Sequence, residues 1–116
     1  MKLLRKSEVP EDFRSDGRTV RKLIELQLEK PVSSAVFYLN DVPSGKFGKH
    51  YHSISSELIW FPKGGKIEIN DEVYDMQEWD GVLLEAGDTH CYDGSDCKDV
   101  IHFAIKLPAD NDKMET

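Results

Sequence analysis

Long apolar runs are missing from this chain of 116 residues. None approaches the roughly 20 residues that a membrane-spanning helix needs. The charged start, Met1-Lys2-Leu3-Leu4-Arg5-Lys6, has no apolar stretch behind it of the kind a signal peptide carries. The expected compartment is the cytoplasm, with no membrane partner. Basic clusters are missing too. Fifteen Lys and Arg stand against 22 Asp and Glu, a net charge of −7. Nothing in that balance could neutralise a phosphate backbone, so nucleic acid is not an expected partner. Cysteine is scarce: Cys91 and Cys97 flank Asp93-Gly94-Ser95-Asp96 and match no zinc spacing. In a cytosolic chain they are expected as thiols rather than as a disulfide. Internal repeats and low-complexity linkers are absent, and the length suits one domain over residues 1–116.

Turn chemistry, in contrast, is abundant. Asp16-Gly17, Pro43-Ser44-Gly45, Gly64-Gly65, Asn70-Asp71, Asp80-Gly81, Gly87-Asp88 and Asp93-Gly94 separate short apolar or alternating runs. Many short strands between closely spaced turns predict an all-β sandwich or barrel. The strands expected run from Ser34 to Leu39, Lys49 to Ser53, Glu57 to Phe61, Lys66 to Asn70, Val73 to Met76, Val82 to Glu85, His90 to Asp93 and Val100 to Lys106. Val20 to Leu28 alternates well enough for a strand, although Val20, Leu23, Ile24 and Leu28 also satisfy a helical template. The β-rich context favours the strand, which would be an edge in need of cover and so a place for a homodimer to form. Pro62-Lys63-Gly64-Gly65 and Asn70-Asp71-Glu72 read as tight turns of a meander. A short helix over Val9 to Phe13 is compatible with the pattern. The polar end, Asp110 to Thr116, reads as a solvated tail.

Chemistry concentrates in one run, His50-Tyr51-His52, followed five residues later by Glu57. Side chains of a strand alternate faces, so imidazoles at i and i+2 point the same way and can grip one ion. On a helix the same spacing would fail. His90, just after the Ala86-Gly87-Asp88-Thr89 turn, offers a third imidazole at a barrel mouth. Three nitrogens and a carboxylate suit Fe, Mn, Ni, Co or Zn as a divalent ion without choosing among them. Four such ligands leave two octahedral positions for water or substrate. Strand parity sets Ile59 and Phe61 on the Glu57 face and Leu58 and Trp60 on the other. Tyr51 and Lys49 then point outward, as does Cys91. His102 either faces the pocket or lies on the surface opposite Ile101, Phe103 and Ile105. Tyr92 shares the parity of His90 and could present a phenol to a substrate.

These residues resemble the motifs of the cupin superfamily. Its first motif is Gly, five residues, His-x-His, three or four residues, Glu, six residues, Gly; here His50, His52, Glu57 and Gly64 match. Ser44 stands where the leading Gly would be. The second motif, Gly, five residues, Pro-x-Gly, two residues, His, three residues, Asn, is met by Gly87 and His90, with Glu85 and Gly94 at the Pro and Asn positions. The resemblance implies a cupin-type β-barrel (a double-stranded β-helix, or jelly roll) over about residues 20–106, with an N-terminal arm and a C-terminal tail. It implies one divalent transition metal held by His50, His52, Glu57 and His90. It further implies a metal-dependent enzyme on a small polar metabolite, with oxygenation favoured over isomerisation or elimination. Tyr92 and His102 are the expected proton-moving groups. A non-enzymatic module that binds a sugar or organic acid is the alternative.

Overall fold

The computed structural model describes residues 1–28, 31–42, 49–91 and 100–115, apart from the side chains of 41, 42 and 100. The order is β1 (Lys2–Leu4), one 3-10 turn (Lys6–Glu8), β2 (Asp12–Phe13), β3 (Thr19–Val20), β4 (Val36–Val42), β5 (His50–His52) and β6 (Ser56–Phe61). It continues with β7 (Gly65–Ile69), β8 (Glu72–Met76), β9 (Asp80–Leu84), β10 (His90–Cys91), β11 (Val100–Leu107) and β12 (Lys113–Glu115). One five-stranded sheet has the order β1-β9-β6-β11-β4 and the other β12-β5-β10-β7-β8. The paired strands run antiparallel. The chain is not the meander that its turns suggested. From β4 to β12 it changes sheet at every step except the β7–β8 hairpin.

The two sheets share one apolar core. Ile59 and Phe61 of β6, Val82 and Leu84 of β9 and Ala104 of β11 meet Ile67, Ile69 and Met76 of the opposite sheet. Burying each of the larger of these side chains contributes about 1.5–3 kcal/mol. Strand β6 lies between β9 and β11 and is covered on both faces, so Leu58–Phe61 reads as a continuous apolar run rather than a clean alternation. The turn after β6 depends on Gly64, at φ 75°; a Cβ there would sit 2.6 Å from the Met76 carbonyl oxygen. That turn carries the chain across to the other sheet instead of closing a hairpin. Asn70 and Asp71, with φ of 50° and 68°, make the true hairpin between β7 and β8.

Three expectations need correction. Val20 to Leu28 is not an edge strand: only Thr19–Val20 pairs, with β2. The following residues lie across the outer face of the first sheet, where Ile24 and Leu26, like Trp60 and Ile105, pack against Leu4, Leu58 and Leu83. Alternate apolar positions serve there to cover a flat apolar face, without a hydrogen-bond ladder. Val9 to Phe13 is not helical, since Asp12–Phe13 is a strand and the 3-10 turn precedes it. The C-terminal segment is not a solvated tail: Lys113–Glu115 pairs with β5 and Asp112 is buried. Strands thus extend past residues 20–106 at both ends, since Lys2–Leu4 pairs with β9.

Candidate metal centre

Strands β5 and β10 are neighbours, and their register sets His50 directly opposite His90. His52, two residues along β5, keeps the same face. The three rings therefore converge, with centroids 4.2 Å apart for His50 and His90, 5.5 Å for His50 and His52, and 5.8 Å for His52 and His90. One nitrogen from each lies within 4.8 Å of the other two, a grouping able to hold a metal ion. Glu57 reaches them from β6, in the facing sheet. Its Oε2 is 3.2 Å from His52 Nε2 and its Oε1 is 3.9 Å from His90 Nε2. The loop between β5 and β6 thus spans the two sheets and closes one end of the core.

The electrostatics favour a cation here. Burial, reinforced by the neighbouring His50, pushes the His90 imidazole down to about 3, and burial also lowers His52. Both rings are therefore neutral at ordinary pH, with lone pairs free to act as ligands. Burial pushes the Glu57 carboxyl up to about 7, against the opposing pull of Lys106. Lys106, shared with Asp112, offsets the burial of this carboxylate only in part, and a divalent ion would supply the remaining positive charge. The donor set fits a transition metal.

Two buried groups that carried no motif signal stand behind these donors. Asp112 precedes β12, and its Oδ2 accepts the backbone N–H groups of Ile54 (2.8 Å) and Ser55 (2.7 Å). Its Oδ1 lies 3.4 Å from His52 Nδ1 and accepts from Lys106 Nζ at 3.2 Å. Burial alone would raise the Asp112 carboxyl, but the Ser55 and Ile54 N–H groups and Lys106 outweigh it and hold the group well below the usual range. Lys106 also donates to the Asp110 carbonyl. Its strand partner is Glu57, on the inward face of β11. That inward parity, shared with Ala104, was the one sequence signal that could have found it.

Of the proposed proton-moving residues, His102 is buried on the same inward face, its ring 5.7 Å from Phe61. Ile101, Phe103 and Ile105 take the outward face. Burial lowers His102 to about 4. Tyr92 and Cys97 lie outside the described residues. Cys91 is buried beside Glu68, to whose Oε2 it donates at 3.0 Å. Trp60 lies on the outer face over Gly81, where an added Cβ would come within 2.9 Å of the indole.

Two facing antiparallel sheets, with the chain crossing between them at almost every step, make a double-stranded β-helix, the fold found in cupin proteins. No family profile and no curated protein matches the sequence. Solved structures do. A cupin protein from Bacteroides fragilis superposes with a TM-score of 0.56 at 19% identity, over 69% of this chain and 70% of that one. Pac13 of Streptomyces, described as a nucleoside dehydratase and also solved with uridine, gives 0.63 at 19% identity, over 95% of this chain and 86% of its own. Salicylate 1,2-dioxygenase from Pseudoaminobacter salicylatoxidans gives 0.54 at 11% identity, over 63% of this chain but only 20% of that one. At identities this low the likeness establishes the shared fold alone. Among the described residues, no helix is long and apolar enough to cross a membrane.

Proposed function

We propose that this chain is a metal-dependent enzyme acting on a small polar metabolite, with His50, His52, Glu57 and His90 as the ligands of one divalent transition metal. The observation that carries the reading is the convergence of three imidazole nitrogens within 4.8 Å, with a buried carboxylate set against two of them. A bound ion would act as a Lewis acid, polarising a substrate oxygen. The protein's own part is to keep the imidazoles neutral, to exclude bulk water by burial and to supply a proton carrier. His102 and Tyr92 are the carriers proposed from the sequence; His102, neutral above about pH 4, packs against Phe61, four residues along β11 from Lys106, the strand partner of Glu57.

Oxygenation keeps a slight edge by analogy with cupin dioxygenases, and the salicylate enzyme, similar in fold, is a dioxygenase by name. Elimination is the second reading. It is favoured by the likeness to a nucleoside dehydratase of nearly the same length, extending over most of both chains. A homodimer belongs to the same proposal. Strand β4 is the open edge of its sheet, and Phe37, Leu39 and Phe103 stay exposed on the outer face beside it, so a second copy is the occupant proposed.

Metal analysis of freshly purified protein, beside a His50→Ala/His52→Ala double variant, tests the site. The parent should carry one ion per chain and the double variant almost none. Equal metal in both would remove the site from these residues. Sedimentation of the same samples reads the dimer, and a monomer at micromolar concentration would dismiss it. A metal-replete protein that binds small polar ligands and never converts them is a binding module, not an enzyme.

A further inference from the structure

Each buried histidine of the cluster has a ring nitrogen turned away from Glu57. For His90 that nitrogen, Nδ1, lies 3.5 Å from the Asp88 carbonyl oxygen on its own strand's approach. For His52 the matching Nδ1 is buried and has no well-aligned hydrogen-bond partner. The carboxylate that faces it, Oδ1 of Asp112 at 3.4 Å, comes from a remote part of the chain. Asp112 cannot turn away readily. Its other oxygen is fixed by two backbone N–H groups at 2.7 and 2.8 Å, both from the loop that follows His52. The Asp112 carbonyl oxygen accepts the Ser53 N–H at 3.1 Å, and Lys113 pairs with His52 across the β12–β5 ladder. One end of the carboxylate is thus clamped, while the other meets the histidine.

From this geometry we infer that Asp112 is a positioning residue for His52: its carboxylate holds the imidazole in the tautomer protonated on Nδ1, so that the Nε2 lone pair faces the side of Glu57. An acceptor on the far nitrogen is what a histidine ligand needs to hold its ring orientation and to raise its basicity. Lys106, sharing Oδ1 at 3.2 Å, offsets the charge and keeps the carboxylate in place on the inward face of β11. The C-terminal segment is on this account part of the centre. The inference rests on the proposed metal site for its consequence, but not for the tautomer itself.

The test uses the full chain with Asp112→Asn, which keeps an oxygen for the loop N–H groups, and Asp112→Ala. Cobalt(II) affinity is measured by competition with a chromophoric chelator, and the His52 tautomer by nitrogen-15 correlation spectra of the metal-free protein. Asp112→Asn should melt near the parent temperature yet bind cobalt about 10–100-fold more weakly. His52 of the parent should show its proton on Nδ1, and that preference should fade in the variant. Unchanged affinity in a folded Asp112→Asn protein overturns the inference. If neither variant folds, the parent spectrum decides: a proton on Nε2 of His52 refutes the positioning role, and one on Nδ1 supports it. If the parent binds no cobalt, the metal reading has failed, and the same tautomer comparison still decides whether Asp112 orients His52.

Discussion

Strands β6 and β9 carry a buried carboxylate at each end of their shared ladder, and the two could hardly be treated more differently. At one end Asp80 stands opposite Phe61; at the other, Glu57 stands opposite Leu84. Asp80 receives Arg5 Nη1 at 2.8 Å and the backbone N–H groups of Lys6 (3.0 Å) and Gln77 (2.8 Å). Burial would raise it, but these donors prevail and keep its carboxyl below the ordinary value. Glu57 has neutral imidazoles for neighbours and is pushed up to about 7. The first carboxylate is saturated, and its task is to pin the N-terminal arm to the barrel. The second has only the shared charge of Lys106 to set against its burial, a condition in which a site can take up a cation. Burial alone therefore does not set the two carboxylates apart; the donors around each one do.

The sharpest way to break that contrast is at Asp80. Asp80→Ala strands a partly buried guanidinium and two backbone N–H groups, and should cost about 3 kcal/mol or more in chemical denaturation. A loss below about 1 kcal/mol would mean the Arg5 clamp contributes little.

Glu57→Gln should do the reverse in the metal-free protein. A raised folded-state value means that Glu57 contributes stability below its ordinary 4.5, lost as pH rises through about 7. The variant should therefore be more stable than the parent at pH 8 by about 1–2 kcal/mol, the gap closing toward pH 4.5. Melting temperatures across that range read it, and parallel curves for the two proteins would refute the incompletely compensated carboxylate. Asp80 has the opposite sign: its lowered value gives stability present above 3.8 and lost as pH falls further.

The smallest expected effect is Arg5→Lys, which keeps the charge but gives up the guanidinium that also reaches the Asp75 carbonyl at 2.6 Å. With Arg5 a quarter exposed, a loss of about 1 kcal/mol or less is expected in the same denaturation assay. A loss equal to that of Asp80→Ala would show that geometry, not charge, holds the arm.

The strands from β5 to β11 were legible because turn residues bracket them and their faces alternate. The histidine cluster was legible for the same reason: His50 and His52 share parity, and the Gly87 turn delivers His90. What could not be read was which strands pair across the fold. Gly64 announces a turn, but nothing local says that the chain crosses to another sheet there. On β11 hydrophobicity misleads, since Phe103 lies opposite Trp60 on the outer face while His102, Ala104 and Lys106 point inward. Asp112 was unreadable in a different way. Its burial depends on loop N–H groups more than 50 residues earlier, in a segment whose composition is that of a solvated end.

The direct opposition of His50 and His90 has a kinetic consequence. Forty residues separate the two positions, and the β10 strand that joins them is only two residues long. Closing so long a loop for so short a ladder is entropically unfavourable until the surrounding sheets have formed. The complete ligand cluster should thus arise late in folding, and the unfolded chain offers an ion little more than the local His-x-His pair. Ion affinity would then belong almost wholly to the native state, and added metal should slow unfolding far more than it speeds refolding.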